Sequence, residues 1–223
     1  MSTTPPVEKT KVLIVEDHPI FRAMLVQLID KDLQMTVCGE ADNIKDAMNI
    51  IEKVHPDVAI VDITLHGSSG LELIKDLKAR KISLPVLVLS MHEERLYAER
   101  VIRAGARGYI SKQESPARVI EAIRKVMDGG IHVSERVTGT ILERLGRVDQ
   151  AVETSGMDLL SDREIEVFQL VGRGMNSREI AGELNLGPTT VDSYRARIKE
   201  KLGIKNAAEL YQRAAQWVGE RNL

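Results

Sequence analysis

The chain contains a single cysteine, Cys38, so no internal disulfide can form and a reducing compartment is the expected setting. Aromatic residues make up only 3% of the sequence, which leaves core building to aliphatic side chains. No apolar run approaches the ~18 residues needed to cross a bilayer. The first ten residues, MSTTPPVEKT, lack the basic-then-apolar order of a signal peptide. A cytoplasmic protein without membrane contact is therefore expected. Excess charge of either sign is also lacking: the formal net charge is −2, so the whole chain gives no electrostatic argument for nucleic acid or membrane. His55, His92 and His132 are scattered and assemble no zinc site. What is present is 43% hydrophobic residues in a chain of 223, enough for two domains with cores of their own.

Short apolar runs occur at KVLIVE (11–16), MTVCGE (35–40), DVAIVD (57–62), LPVLVLS (84–90) and RGYIS (107–111). Each has the length of a buried strand, and Cys38 reads as a small buried hydrophobe within the second. Amphipathic helix patterns separate them, such as Ile44, Ala47, Met48 and Ile51, or Val119, Ile120, Ile123 and Val126. Strands alternating with helices predict a doubly wound, five-stranded parallel sheet in the flavodoxin-like order. Residues 1–9 are expected to be a disordered tail and 10–128 the α/β domain. Residues 129–157 read as a linker with one helix, over 134–146. Residues 158–223 read as a small all-α domain. There, Ser161 with Glu164 and Asn176 with Glu179 have the spacing of capping boxes. Pro188 suits the first turn of a third helix.

Ligands of an open parallel sheet sit beyond the carboxyl ends of its strands. That rule gathers Glu16 and Asp17 after the first strand, Asp62 after the third, Ser90 after the fourth and Lys112 after the fifth. Adjacent carboxylates near a core need a positive partner. Three together form a hard oxygen site of the kind that suits magnesium. Asp62, the only carboxylate at the end of its strand, could accept a phosphoryl group as an aspartyl phosphate. Lys112 would add a second positive charge, and Ser90 a hydroxyl.

The motifs EDHPIFR (16–22), VDITLHGSSGLEL (61–73), VLVLSMHEE (86–94) and GARGYISK (105–112) resemble those of a response-regulator receiver domain. The resemblance covers residues 10 to 128. It implies Asp62 as phospho-acceptor and Mg2+ bound by Glu16, Asp17, Asp62 and the backbone carbonyl of Thr64. Ser90 and Tyr109 match the switch positions, and Lys112 the lysine. Leu65-His66 stands where receivers commonly carry Met-Pro, a change that loosens the loop.

In the all-α half, LVGRGMNSREIAGELNLGPTTVDSYRARIKEKL reads as helix, four-residue turn, helix, the pattern of a helix-turn-helix. If Val191, Ile198 and Leu202 face inward on the third helix, then Asp192, Ser193, Ala196, Arg197, Lys199 and Glu200 face outward, with Arg195 at the border. Residues 192–205 hold five basic and two acidic side chains, although residues 158–223 hold ten of each. LLSDREIEVFQLVGRGMNSREIAGELNLGPTTVDSYRARIKEKLGIKNAAEL (159–210) resembles the LuxR-type helix-turn-helix. With the receiver it makes the chain similar to NarL/FixJ-family regulators. The resemblance implies that Asp192, Ser193 and Ala196 face bases, while Thr189, Arg195, Arg197 and Lys199 contact phosphates. Many relatives carry Lys where Asp192 stands. Asp192 could accept from a cytosine amino group or hold Arg195 in a phosphate-contacting pose.

The expected function is a two-component response regulator and not an enzyme. A sensor histidine kinase phosphorylates Asp62, which controls binding to double-stranded DNA and favours a homodimer. One rival is an aspartyl-phosphate phosphatase of the haloacid dehalogenase type, which would need an Asp at position 64, where Thr64 stands. The other is an interaction module that never binds DNA, which the balanced charge of the helical half allows.

Overall fold

The computed structural model describes residues 9–65, 68–91, 94–135, 137–139 and 156–219. The expected disordered tail lies outside them up to residue 8, as do His66, His92 and most of the expected linker helix; residues 135 and 137–139 of that helix are helical. The chain divides into two compact units, Met1–Val148 and Asp149–Leu223, described separately.

The first unit runs β1 Thr10–Val15, α1 Pro19–Asp30, β2 Met35–Ala41, α2 Ile44–Val54, β3 Val58–Asp62, β4 Thr64–Leu65, β5 Ser68–Ser69, α3 Gly70–Ala79, β6 Val86–Ser90, α4 Glu94–Ala104, β7 Gly108–Ser111 and α5 Pro116–Met127. Five strands form a parallel sheet in the order β2-β1-β3-β6-β7, the flavodoxin-like order expected from the sequence. The central strands read as unbroken apolar runs because helices cover both faces: Val12–Val15, Val58–Val61 and Val86–Leu89 are buried throughout. On one face Val12, Ile14, Ile60, Leu87 and Leu89 meet Leu25 and Ile29 of α1 and Ile123 and Val126 of α5. Each such side chain contributes about 1.5–3 kcal/mol by leaving water. Helix starts follow local chemistry. Pro19 and Pro116 occupy the first turns of α1 and α5, and the Asn43 side chain accepts from the Asp46 N–H at the start of α2.

Two irregularities shape this sheet. Its register slips between Val12 opposite Val37 and Leu13 opposite Gly39, so Cys38 bulges out of the ladder. Cys38 is half-buried rather than fully buried, and burial pushes its thiol pKa up. At the other edge, His132 forms a parallel bridge to Gly108. The His132 N–H donates to the Arg107 carbonyl (2.9 Å), and the Tyr109 N–H donates to the His132 carbonyl (2.8 Å). A Cβ at Gly108 would lie 2.8 Å from Leu87 Cδ1 and 3.0 Å from the His132 oxygen, so glycine is what admits this approach. The Ser134 N–H then donates to Glu94 Oε1 of α4 at 2.7 Å.

The second unit has a 3-10 turn at Gly156–Leu159, then α6 Asp162–Gly172, α7 Ser177–Glu183, α8 Pro188–Leu202 and α9 Ala207–Gly219. Both expected capping boxes are present, Ser161 with Glu164 and Asn176 with Glu179. Glu164 also takes a hydrogen bond from Lys201 Nζ of α8 at 2.7 Å. Burial raises the Glu164 pKa, and the hydrogen bonds from Lys201 and Ser161 outweigh it, so the carboxyl lies below its ordinary value. Gly172 lets α9 approach α6: a Cβ there would collide with the Ala214 carbonyl. Phe168 and Trp217 meet edge to face at 5.6 Å across the same contact. Gly203, at φ 65°, ends α8 in the left-handed conformation that glycine adopts without strain. No helix among the described residues is long and apolar enough to cross a membrane.

Candidate functional site

β1, β3, β6 and β7 are parallel neighbours, so their carboxyl ends share one edge of the sheet. Glu16 and Asp17 follow β1, Asp62 ends β3, Ser90 ends β6, and Lys112 follows β7. All five expected groups therefore meet at one edge, and Glu16, Asp17, Asp62 and Ser90 are buried. Lys112 Nζ bridges two of the carboxylates, 2.7 Å from Glu16 Oε2 and 2.8 Å from Asp62 Oδ2. Its own N–H donates to the Ser90 carbonyl at 2.8 Å, tying β7's end to β6. The ammonium also stands 4.6 Å from the centroid of the Phe21 ring on α1, a cation–π contact the sequence did not announce.

Asp62 is pulled in opposite directions. Burial raises its pKa, the Lys112 charge lowers it, the Glu16 charge raises it, and hydrogen bonds from Lys112 and the Thr64 backbone lower it; the result is about 6. One buried lysine stands among three buried carboxylates. Glu16, Asp17, His18 and Asp62 each offer a ligand atom, and these atoms lie within 4.8 Å of one another. The oxygen donors of that group fit a hard divalent cation. His18 closes the exposed side: its N–H donates to Glu16 Oε1 at 3.1 Å, and its Nδ1 lies 2.8 Å from Asp17 Oδ1. Arg22 NH1 donates to the Glu16 carbonyl at 2.6 Å and fixes the turn. Thr64 lies half-buried in β4, two residues past Asp62. Tyr109 is buried in β7, directly opposite Val88 of β6.

One glycine at the site escaped sequence reasoning. Gly70, the first residue of α3, donates its N–H to the Ile63 carbonyl at 2.7 Å. A Cβ on Gly70 would strike the backbone carbonyl of Asp62 itself.

In the second unit, α8 buries Val191 and Ile198 and exposes Thr189, Asp192, Ser193, Ala196 and Arg197; Arg195 and Lys199 are half-buried. The expected faces are therefore the observed ones, with Lys199 more covered than expected. Asp192 does not touch Arg195 directly. Its Oδ1 accepts from the Ser177 hydroxyl of α7 at 2.6 Å, and Arg195 NH1 donates to that same Ser177 oxygen at 2.9 Å. The Arg195 guanidinium lies 5.3 Å from the Tyr211 ring centroid. Ser177 and Tyr211 lie outside the expected site, because their roles depend on contacts between helices.

The "Response regulator receiver domain" profile matches residues 12–124, and that of "Bacterial regulatory proteins, luxR family" matches residues 158–214. The response regulator UvrY of Escherichia coli (strain K12) is 31% identical over 199 residues, covering 89% of this chain and 90% of the relative. The regulator BvgA of Bordetella pertussis is 34% identical over 201 residues, covering 90% and 94%. Among solved structures, RcsB from Salmonella enterica serovar Typhimurium, bound to promoter P1flhDC in the presence of the phosphomimetic BeF3-, has a TM-score of 0.56. It is 27% identical and covers 92% of this chain and 97% of that one.

Proposed function

The chain belongs to the response regulators that join a receiver domain to a luxR-family DNA-binding domain, and from that premise we propose that Asp62 is its phospho-acceptor and α8 its DNA-reading helix. It is a two-component regulator whose receiver phosphorylation governs DNA binding, rather than a classical enzyme. The donor is a histidine of a sensor kinase. An Asp62 carboxylate oxygen forms the new P–O bond as the P–N bond to that histidine breaks, and the electron pair leaves with the imidazole. Glu16, Asp17, Asp62 and the Thr64 carbonyl would hold Mg2+, which when bound neutralises phosphoryl oxygens. Lys112 would move from bridging the Glu16 and Asp62 carboxylates to pairing with the phosphoryl group. Ser90 would donate its hydroxyl there, and Tyr109 would follow it, shifting the population between two receiver states. The more populated activated state would favour a homodimer. On α8, Thr189, Arg195, Arg197 and Lys199 would meet phosphates, and Asp192, Ser193 and Ala196 would face the major groove.

The observation that carries this reading is the Lys112 bridge between Glu16 and Asp62 at 2.7 and 2.8 Å, which brings β1, β3 and β7 onto one reactive carboxylate. Acetyl phosphate with magnesium should add one phosphoryl group to the chain, mapping by mass to the peptide with Asp62. Unchanged labelling in Asp62→Asn would refute the assignment.

A further inference from the structure

Arg195 is held from two sides by residues on other helices. Its NH1 donates to Ser177 Oγ at 2.9 Å, and the Ser177 hydroxyl donates to Asp192 Oδ1 at 2.6 Å. A serine hydroxyl has one proton and two lone pairs, so this chain runs in one sense only, from guanidinium through hydroxyl to carboxylate. The guanidinium carbon lies over the Tyr211 ring of α9, 5.3 Å from its centroid. Tyr211 is fixed in turn, because its hydroxyl donates to the Met175 carbonyl at 3.2 Å. The relay thus links α7, α8, α9 and the turn before α7.

An exposed arginine has many rotamers, and ordering it on binding costs side-chain entropy. Here that ordering precedes binding. One N–H serves Ser177 and the cation rests over Tyr211; a guanidinium has five N–H donors, so others remain for a phosphate. The Asp192 oxygen that would accept from a base already holds a short, charge-assisted bond to Ser177. A carboxylate on a DNA-facing helix repels phosphates, and in this arrangement its charge is spent on the arginine it orients.

We propose that Asp192 and Ser177 are positioning residues that hold Arg195 against Tyr211 in its phosphate-contacting pose, and that Asp192 reads no base. The inference rests on the reading of α8 as the DNA-facing helix and adds Ser177 and Tyr211 to its working parts.

The test uses the full chain on two duplexes, one selected from a random pool and one scrambled, over a series of salt concentrations. Ser177→Ala changes no charge, which makes it the informative variant. It should weaken binding to both duplexes by a similar factor, about three- to tenfold for one lost hydrogen bond. It should also lower the slope of log affinity against log salt by about one unit, the signature of one lost phosphate contact. Arg195→Ala should lower the slope equally, and Ser177→Ala should add nothing in its background. Ser177→Thr keeps the hydroxyl and should restore both affinity and slope, which a merely structural loss would not predict. Asp192→Asn should leave the base preferences selected from the pool unchanged. If wild type binds but Ser177→Ala keeps its slope, or if Asp192→Asn relaxes selectivity at one base pair, the inference fails alone. A wild-type chain that binds neither duplex overturns the DNA-binding reading as well.

Discussion

Asp62 has a pKa of about 6, against 3.8 for the ordinary carboxyl, chiefly because burial disfavours its charge. Between those pH values the folded chain holds a proton that the unfolded chain has released. The contribution of Asp62 to stability therefore falls as pH rises from about 4 to about 6 and stays lower above that, by about 3 kcal/mol for a shift of this size. Lys112 lowers this pKa and Glu16 raises it, and the value of about 6 already contains both. In chelator, Asp62→Asn should lack that part of the pH dependence and be more stable than wild type at neutral pH. Urea unfolding at pH 4 and pH 7 measures it, and parallel curves for the two proteins would contradict the assignment. The acidic residues themselves were legible in the sequence, because each closes an apolar run and the strand-end rule brings them together. The lysine's two-way bridge was not, since Lys112 is 50 residues from Asp62 and its choice of partners depends on packing.

At the level of elements, the start of α3 matters as much as the strand before it. Gly70 is pressed against the Asp62 carbonyl, so Gly70→Ala must displace either α3 or the acceptor strand. Overpacking of this kind costs about 1–3 kcal/mol, and phosphorylation by acetyl phosphate should slow in the fraction that still folds. Chemical denaturation and labelling rate check the two effects separately; a variant unchanged in both would show that the contact relaxes freely. The strands and helices were legible because their apolar periods differ, and the capping boxes because their spacing is fixed. Less legible were features set by neighbours. The β4–β5 pairing joins two-residue strands, too short for any period. Beside the Cys38 bulge, a Cβ on Gly39 would lie 2.6 Å from Ile50 Cγ2, a contact no sequence period shows. The Ser177 relay depends on how α7, α8 and α9 pack, and Ser177 itself reads only as the residue after a helix cap.

At the scale of the molecule, two compact units with separate cores should unfold in two steps. Magnesium should raise only the step that belongs to the receiver. By mass action the gain is about 2.7 kcal/mol at a hundredfold excess over the dissociation constant. Scanning calorimetry with and without magnesium reads this, and a shift of neither step would count against the carboxylate site. The sheet's outer edge has a practical consequence. Residue 132 covers open backbone groups at this edge, the Arg107 carbonyl and the Tyr109 N–H, as a short sixth strand would. A fragment ended at residue 128 would leave that row of N–H and C=O groups as a template for pairing with another molecule. Such a fragment should self-associate in light scattering at concentrations where one ended at residue 139 stays monomeric. The first residues past the receiver are then its guard against aggregation, and cutting there would expose the edge they cover.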